Sequence, residues 1–181
     1  MDTISYALAI EEISRVDASA GVIMSVNNSL VCWGLDHYGT EAQKQQHLSR
    51  VASGEVSGAF CLSEPEAGSD LASLRTTARR DGESYVINGV KQFITSGKNA
   101  DVAIVMAVTD KAASKRGISA FWVPTNTPGY IVARVEDKLG QHSSDTAQIV
   151  FEDCRIPAEN LIGEEGTGYK IALSGLEGGR I

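Results

Sequence analysis

Residues 76–94, TTARRDGESYVINGVKQFI, decide the fold. Apolar residues recur at helical spacing in the first part of the chain, whereas here apolar and polar residues alternate as in strands. The pair Asp81-Gly82 separates two strand-like runs, which is a strong signal for a β-hairpin. Asn88-Gly89 predicts a second tight turn, before a further strand from Val90 to Ile94. We therefore expect this stretch to open the β-structure of the molecule.

Further strand-like runs follow at short intervals. The run from Asp101 to Val108 is almost continuously apolar, as expected of a strand that is buried on both faces. A charged loop is predicted from Lys111 to Gly117, and the remaining predicted strands are Ile118–Val123, Tyr130–Val135 and Ala147–Phe151. Such a series of short strands predicts an antiparallel β-barrel or sandwich.

Helical patterns lie on either side of the strands. Before Gly54, apolar residues recur at helical spacing, and Thr40 and Gln43 fit the capping box that begins a helix. After Pro157 the pattern is helical again. We therefore expect an α+β chain in three parts: residues 1–55 as the end of a helical domain, residues 56–160 as a β-domain, and residues 161–181 as the first helix of a further, truncated helical domain.

Composition excludes several classes of function. The net charge of −7 provides no basic stripe for nucleic acid. We expect no membrane span and no targeting segment, because no run of about 18 apolar residues and no signal-peptide pattern is present. Three scattered cysteines and three isolated histidines suggest neither a disulfide framework nor a metal site, and favour a reduced compartment. The motifs of P-loop, Rossmann and serine-hydrolase sites are lacking.

Two stretches remain as candidates for a binding site. The first is CLSEPEAGSD, residues 61–70, where Pro65 and Gly68 break a strand between the hydroxyls of Ser63 and Ser69. The second is KQFITSG, residues 91–97, in which an aromatic ring and the Thr95 hydroxyl are two residues apart and share a strand face. Such a face suits a flat heteroaromatic ligand. The alternatives are a polar turn and a strand with one core phenylalanine.

Together these stretches resemble the flavin-binding part of the acyl-CoA dehydrogenases. The match runs from FCLSEPEAGSD (60–70) and NGVKQFITSG (88–97) through RGISAFWVPTNTPGYIV (116–132) and EDKLGQHSSDTAQIVFEDCRIP (136–157) to GYKIALSGLEGGRI (168–181). It covers essentially the whole chain and is nearest to the short-chain or short-branched-chain members. The resemblance identifies the chain as a fragment that lacks the N-terminal start and the C-terminal helical domain of the family.

The resemblance implies a site for FAD and for acyl-CoA. The hydroxyl or amide of Ser63 would bond the flavin edge, Phe93 would cover the ring, and Thr95 would lie near the N5–C4 carbonyl edge. Ser69 would border both cofactor and substrate, and Glu177 and Arg180 match substrate-side positions. The implied cofactor-binding residues are Phe60, Cys61, Leu62, Ser63, Glu64, Pro65, Glu66, Ala67, Gly68, Ser69, Phe93, Ile94 and Thr95.

The implied reaction is α,β-dehydrogenation of an acyl-CoA thioester to the trans-2-enoyl-CoA, with electrons passed to an electron-transfer flavoprotein. The family is predominantly tetrameric. Its members are cytoplasmic in bacteria and lie in the mitochondrial matrix in eukaryotes, and we expect the same here. The alternative is a catalytically inert module that binds flavin or acyl-CoA, and a third reading is a β-sandwich without a ligand.

Three departures from the family pattern qualify this expectation. Phe93 stands where most members carry tryptophan, and Glu66 replaces the usual glycine of the loop. The catalytic carboxylate of the family lies in the C-terminal helical domain, so we expect no catalytic residue in this chain and little or no activity from the chain alone.

Overall fold

Three helices form the first part of the chain, as the apolar spacing predicts. The structure, a computed structural model, describes residues 2–178. Thr40 begins the third helix, and both hydrogen bonds of the predicted capping box with Gln43 are present. Two π-helical stretches, Asn27–Cys32 and Lys44–Leu48, interrupt the regular spacing. The helices are α1 (Thr3–Ser14), α2 (Ala18–Tyr38) and α3 (41–52).

Helix α2 is the one helix among residues 2–178 that is long and apolar enough to cross a membrane, by length and composition alone. A core helix of a globular protein passes the same test, and α2 buries Val31 and Leu35 against the rest of the molecule. The expectation that the chain has no membrane span therefore remains a prediction.

Within residues 2–178, eight strands form one mainly antiparallel sheet, with the strand order β6-β7-β3-β2-β4-β5-β8. Strand β1 is hydrogen-bonded to β4 outside this path, and the pairs β1–β4 and β2–β4 are parallel. The predicted α+β class is thus confirmed. The strands are β1 (Gly58–Cys61), β2 (Thr77–Asp81), β3 (Ser84–Thr95), β4 (Val102–Val108), β5 (Ile118–Pro124), β6 (Tyr130–Val135), β7 (Thr146–Pro157) and β8 (Leu161–Ile162).

Short helical turns and one more helix complete the described part. Residues Leu71–Ser73 and Ala158–Asn160 form single 3-10 turns. The segment Lys111–Gly117, predicted as a charged loop, also forms 3-10 turns, with a break at Ser114. Helix α4 (Gly168–Gly178) follows, where the sequence predicts helix.

The predicted second turn at Asn88-Gly89 is wrong. Strand β3 runs through both residues, and its pairing with β7 shifts register between Ile87 and Gly89. Gly89 has φ 149°, and a Cβ at this position would lie 2.6 Å from the Cα of Thr76. Glycine at this position therefore allows the backbones of residues 89 and 76 to come close together. The hairpin turn at Asp81-Gly82, by contrast, forms as predicted.

Two apolar clusters share the central strands. Alternate residues of β4 belong to opposite clusters: Ile104 and Met106 face the helices, whereas Ala103 and Val105 face the other way. This arrangement confirms the prediction that the apolar run is buried on both faces. The ring centroids of Tyr85 and Phe121 are 4.8 Å apart, although β2 and β4 lie between their strands in the sheet. The sheet must therefore curve around the cluster that faces away from the helices, to which both rings belong.

The helices are joined to the sheet by polar as well as apolar contacts. The side-chain amide of Gln43 donates hydrogen bonds to the backbone oxygens of Glu159 (2.7 Å) and Leu161 (3.0 Å). Ile171 and Ala172 of α4 pack into the helix-facing cluster. These contacts fix the helices on the face of β4 and β5.

Candidate functional site

The loop 62–70 leaves the buried end of β1 and closes on itself. The backbone amide of Glu64 donates to the oxygen of Ala67 (2.9 Å), and the amide of Ala67 donates back to Glu64 (3.1 Å). Pro65 and Glu66 occupy the exposed tip of this turn. A further hydrogen bond, from the amide of Gln92 to the oxygen of Ser63 (2.8 Å), joins the loop to β3. The two sequence stretches singled out above are therefore neighbours in space.

A buried ion pair lies beneath this junction. The ammonium of Lys91 donates to a carboxylate oxygen of Glu64 (2.8 Å) and to the backbone oxygen of Leu62 (3.0 Å). The Lys91 side chain is 0% exposed and that of Glu64 is 5% exposed. The Glu64 carboxylate also accepts the backbone amides of Arg75 (2.6 Å) and Thr76 (3.0 Å). The pair thus ties the loop to β3 and to the segment before β2.

The protonation of this pair reflects both burial and mutual attraction. Burial would raise the pKa of Glu64, but the charge of Lys91 and the hydrogen bonds from Lys91, Thr76 and Arg75 outweigh it, so the pKa is lowered. Burial lowers the pKa of Lys91 although the Glu64 carboxylate acts in the opposite direction. Glu64 is consequently held as a carboxylate and is unsuited to act as a general acid.

Phe93 presents an aromatic ring to the surface from a β-bulge. Lys91 and Ile94 pair with Ile149 and Ala147, so that Gln92 and Phe93 together face a single residue of β7. Phe93 has φ 58°, and 65% of the residue is exposed. A bulky residue is uncommon in this backbone region. The ring is therefore held outside the core by a costly local conformation, which is a feature that clusters at ligand sites.

A chain of polar side chains surrounds the bulge. The side-chain amide of Gln92 donates to Glu136 (2.7 Å) and accepts from Gln148 (2.6 Å). Arg134 in turn donates to both carboxylate oxygens of Glu136, at 2.7 and 2.6 Å. Gln92 is buried although it lies beside the exposed ring. These hydrogen bonds link β3, β7 and the chain after β6, and they help to hold the bulge.

Three hydroxyl-bearing residues of the two stretches are accessible at least in part. They are Ser63, Ser69 and Thr95, and none of their side-chain oxygens is hydrogen-bonded to another group within residues 2–178. Ser63 and Thr95 are half-buried, and Ser69 is exposed. Ile94, between the ring and the Thr95 hydroxyl, is buried, so Phe93 and Thr95 lie on the side of β3 away from the core. Hydroxyls beside an aromatic ring can bind the edge of a flat ligand whose face the ring covers.

The predicted cofactor-binding residues occupy different depths in the structure. Cys61 lies in the core, where burial raises the pKa of its thiol to about 12. The side chain of Glu64 points inward to Lys91, so this residue and the other buried members would reach a ligand chiefly through backbone atoms. The buried members are Phe60, Cys61, Leu62, Glu64, Ala67 and Ile94; Ser63 and Thr95 are half-buried, and the exposed members are Pro65, Glu66, Gly68, Ser69 and Phe93. Their assignment to a cofactor stays a prediction.

Of the predicted substrate-side residues, Glu177 lines a cleft that the described residues of the loop do not share. Glu177 is exposed and lines a cleft of about 630 Å³ between α1, α2 and α4, beside Tyr6 and Trp33. Ser69 is not among the described residues that line this cleft. Arg180 lies outside the described residues. The prediction that these residues contact one substrate remains open to test.

The unusual Glu66 of the loop forms an ion pair with Arg75, and both side chains are largely exposed. The negative charge that Glu66 adds to the loop is therefore balanced by the neighbouring Arg75. Arg75 also lines, with Glu64 and Glu66, a small cavity of about 260 Å³ beside Gly89.

The sequence reasoning missed Lys91, Gln92 and Arg75. Lys91 and Gln92 lie inside the quoted KQFITSG stretch but were given no function. A lysine in the interior of a strand is rarely buried without a partner, and Glu64 stands in the neighbouring candidate loop. That combination is the signal by which the pair could have been found.

Comparison with known proteins agrees with this architecture of helices followed by a β-domain. Residues 1–55 match the N-terminal domain of acyl-CoA dehydrogenases, and residues 59–154 match the middle domain. The chain belongs to the acyl-CoA dehydrogenase family. Short-chain specific acyl-CoA dehydrogenase from mouse is 50% identical over 181 residues, which is 100% of this chain and 44% of that protein. The chain thus spans less than half the length of this relative.

Solved structures of related enzymes share the fold. Butyryl-CoA dehydrogenase from Megasphaera elsdenii superimposes with a TM-score of 0.96 at 44% identity, over 99% of this chain and 47% of that chain. Glutaryl-CoA dehydrogenase from Mycobacterium smegmatis in complex with FADH2 superimposes with a TM-score of 0.90 at 39% identity, over 99% of this chain and 45% of that chain.

Proposed function

We propose that this chain forms the FAD-binding part of an acyl-CoA dehydrogenase that converts short acyl-CoA thioesters to trans-2-enoyl-CoA. The observation that carries the proposal is the exposed Phe93 ring, held on a bulge beside the free hydroxyls of Ser63 and Thr95. A flat isoalloxazine ring fits such a surface, because it needs an apolar cover for one face and hydrogen-bond donors along one edge. The short-chain preference rests on the mouse relative and on butyryl-CoA dehydrogenase.

The residues of this chain would bind and orient the reactants. Phe93 would cover the flavin face, and the hydroxyls of Ser63 and Thr95 would donate to its heteroatoms. Bound FAD supplies the acceptor for the hydride that leaves the β-carbon of the acyl group. Donors at the ring edge favour this transfer because they stabilise the negative charge that the ring gains. Ser69 would border the thioester, and Glu177 and Arg180 would lie on the substrate side.

The partners and the division of the chain follow from the same proposal. Electrons would pass to an electron-transfer flavoprotein, and the complete protein would form a homotetramer, as the resemblance implies. Residues 1–55 would act as helical support, residues 56–160 as the flavin-binding domain, and residues 161–181 as the start of the next helical domain. The location would be the bacterial cytoplasm or the mitochondrial matrix, according to the source.

Flavin binding is the direct test. FAD is titrated into the purified apo chain, and bound flavin is followed by quenching of its fluorescence and by its visible absorption. We expect saturable binding, and we expect Phe93→Ala to weaken it, because the ring that covers the flavin is lost. Tyr6, a half-buried aromatic on α1, provides the control Tyr6→Ala. A chain that stays colourless and does not quench FAD would contradict the proposal and would favour a β-sandwich without a ligand.

Turnover separates the enzyme from the inert binding module. The chain alone is expected to bind FAD but to show little or no butyryl-CoA-dependent reduction of an artificial acceptor, since the family's carboxylate base lies elsewhere. The protein encoded by the entire reading frame is expected to turn over. If that longer protein binds FAD and acyl-CoA but reduces no acceptor, the inert module is the correct reading.

A further inference from the structure

We propose that Lys91 is a positioning residue for the flavin-binding surface, acting through Glu64 to hold the loop 62–70 against β3. The inference rests on the proposed function, because the surface that is held is the one assigned to FAD. It goes further because it makes the position of the loop depend on Lys91, whose side chain would not contact the flavin itself.

The first reason is where the pair lies. Lys91 immediately precedes the bulge that carries Phe93, and its ammonium reaches across to Leu62 and Glu64 at 3.0 and 2.8 Å. Ser63 lies between these two contacts in the chain. The ammonium therefore holds the residues on both sides of Ser63, through the backbone oxygen of Leu62 and the carboxylate of Glu64. Lys91 itself lies two residues before Phe93, the other predicted flavin contact.

The second reason is how few backbone hydrogen bonds join the loop to β3. Its hydrogen bonds to β3 from backbone to backbone are limited, in the described chain, to that between Gln92 and Ser63. The bonds between Glu64 and Ala67 are internal to the loop and do not fix its orientation. The carboxylate of Glu64, by contrast, accepts the amides of Arg75 and Thr76 and so joins the loop to a third segment. Leu62 and Ala67 also pack into the helix-facing cluster, but the ion pair is the polar connection that joins the loop both to β3 and to the segment before β2.

The third reason is that stability alone is a poor explanation for the pair. Removing two charges from water costs about as much as their attraction returns, so an apolar pair of similar volume often serves a core equally well. An ammonium and a carboxylate, however, impose directions and distances that apolar side chains do not. A buried pair beneath a ligand surface is therefore expected to influence the geometry of that surface more than the total stability.

Two variants distinguish positioning from a merely structural role. Lys91→Met removes the ammonium and leaves the Glu64 charge buried, which is destabilising. The double variant Lys91→Met/Glu64→Gln removes both charges while retaining a side-chain oxygen for the amides of Arg75 or Thr76. Arg155→Met is the matched control, since it breaks the exposed pair with Asp81 at the other end of β3. FAD affinity, thermal unfolding and amide hydrogen exchange are measured for all of them as the full 181-residue chain.

The double variant is expected to recover most of the thermal stability lost in Lys91→Met but to bind FAD at least tenfold more weakly than the unaltered chain. Exchange at the amides of Glu64, Ala67, Arg75 and Thr76 should be faster in both variants, whereas exchange in β5 should be unchanged. Arg155→Met should alter neither FAD affinity nor loop exchange.

The opposite results would overturn the proposal. If the double variant recovers FAD affinity together with stability, or if loop exchange is unchanged in both variants, the pair does not position the surface. Failure of both variants to fold would likewise assign the pair a structural role only. Should the unaltered chain bind no FAD, the proposed function fails, and the exchange data alone then decide whether Lys91 orders the loop.

Discussion

Phe93 combines an unfavourable backbone conformation with an exposed apolar ring, and neither feature contributes to a stable core. Its φ of 58° costs about 1–2 kcal/mol for a residue with a Cβ. Little apolar surface is buried in return, because 65% of the residue is exposed. The residue is therefore better explained by contact with a ligand than by folding.

Phe93→Gly should separate these two effects. Glycine relieves the left-handed strain but adds freedom to the unfolded chain, so the free energy of unfolding should change by no more than about 1 kcal/mol. FAD affinity should fall, because the covering ring is gone. Thermal unfolding and a flavin titration measure the two quantities on the same preparation. A large loss of stability without a loss of affinity would show that the ring serves packing.

Glu66→Gly tests whether the unusual loop residue disturbs the flavin surface. Because Arg75 already pairs with Glu66 at the surface, we expect FAD affinity to change less than about threefold, within the usual effect of an exposed ion pair. The control Glu55→Gly removes the partner of Arg50 in another exposed pair. A much tighter affinity in Glu66→Gly alone would mean that this carboxylate repels the cofactor.

At the level of single helices and hairpins, sequence motifs predicted the structure wherever it depends on residues that are close together in the chain. The capping box of Thr40 and Gln43 and the hairpin at Asp81-Gly82 both form as predicted, since each depends on residues a few positions apart. Asn88-Gly89 carries the same turn signal but lies inside β3, because pairing with β7 and the approach of Thr76 override it. The bulge at Gln92 and Phe93 could not be predicted for the same reason: it depends on a partner strand more than fifty residues away.

The position of Gly89 leads to a prediction about β3. Gly89→Ala places a Cβ 2.6 Å from the Cα of Thr76 and should destabilise the chain by about 2 kcal/mol or more. Gly82→Ala is the matched control, since Gly82 also has positive φ (62°) but meets nothing within 4 Å, and it should cost about 1 kcal/mol. Chemical denaturation of both variants gives the comparison. Equal losses would mean that φ alone, and not crowding by Thr76, makes glycine necessary at position 89.

At the level of the whole molecule, the sequence resemblance identified the family, but physical patterns alone reached only the α+β class. The parallel pairs β1–β4 and β2–β4 and the curvature of the sheet depend on contacts between distant segments. The same holds for the site: its two stretches were found as separate motifs, whereas the Lys91–Glu64 pair that joins them became visible only in three dimensions.

The attachment of the helices to the sheet can be tested at Gln43. Gln43→Ala removes the donors to Glu159 and Leu161 and half of the capping box, so we expect a loss of about 2 kcal/mol in the free energy of unfolding. Gln45→Ala, at an exposed position of the same helix, should be nearly neutral. Limited proteolysis should also be faster in α3 of the Gln43 variant. If the two variants are equally stable, the apolar contacts alone hold the helices in place.

The parallel pairing of β1 with β4 has a consequence for the order of folding. Gly58 must find Val102, so the strand that leads into the loop cannot be completed by a local hairpin and requires closure of a long segment of chain. Contacts between such distant residues form slowly compared with hairpins such as that of β2 and β3. The nascent chain should therefore acquire its helices and hairpins first and its ligand surface last, so that FAD meets a molecule in which the rest of the domain is already in place.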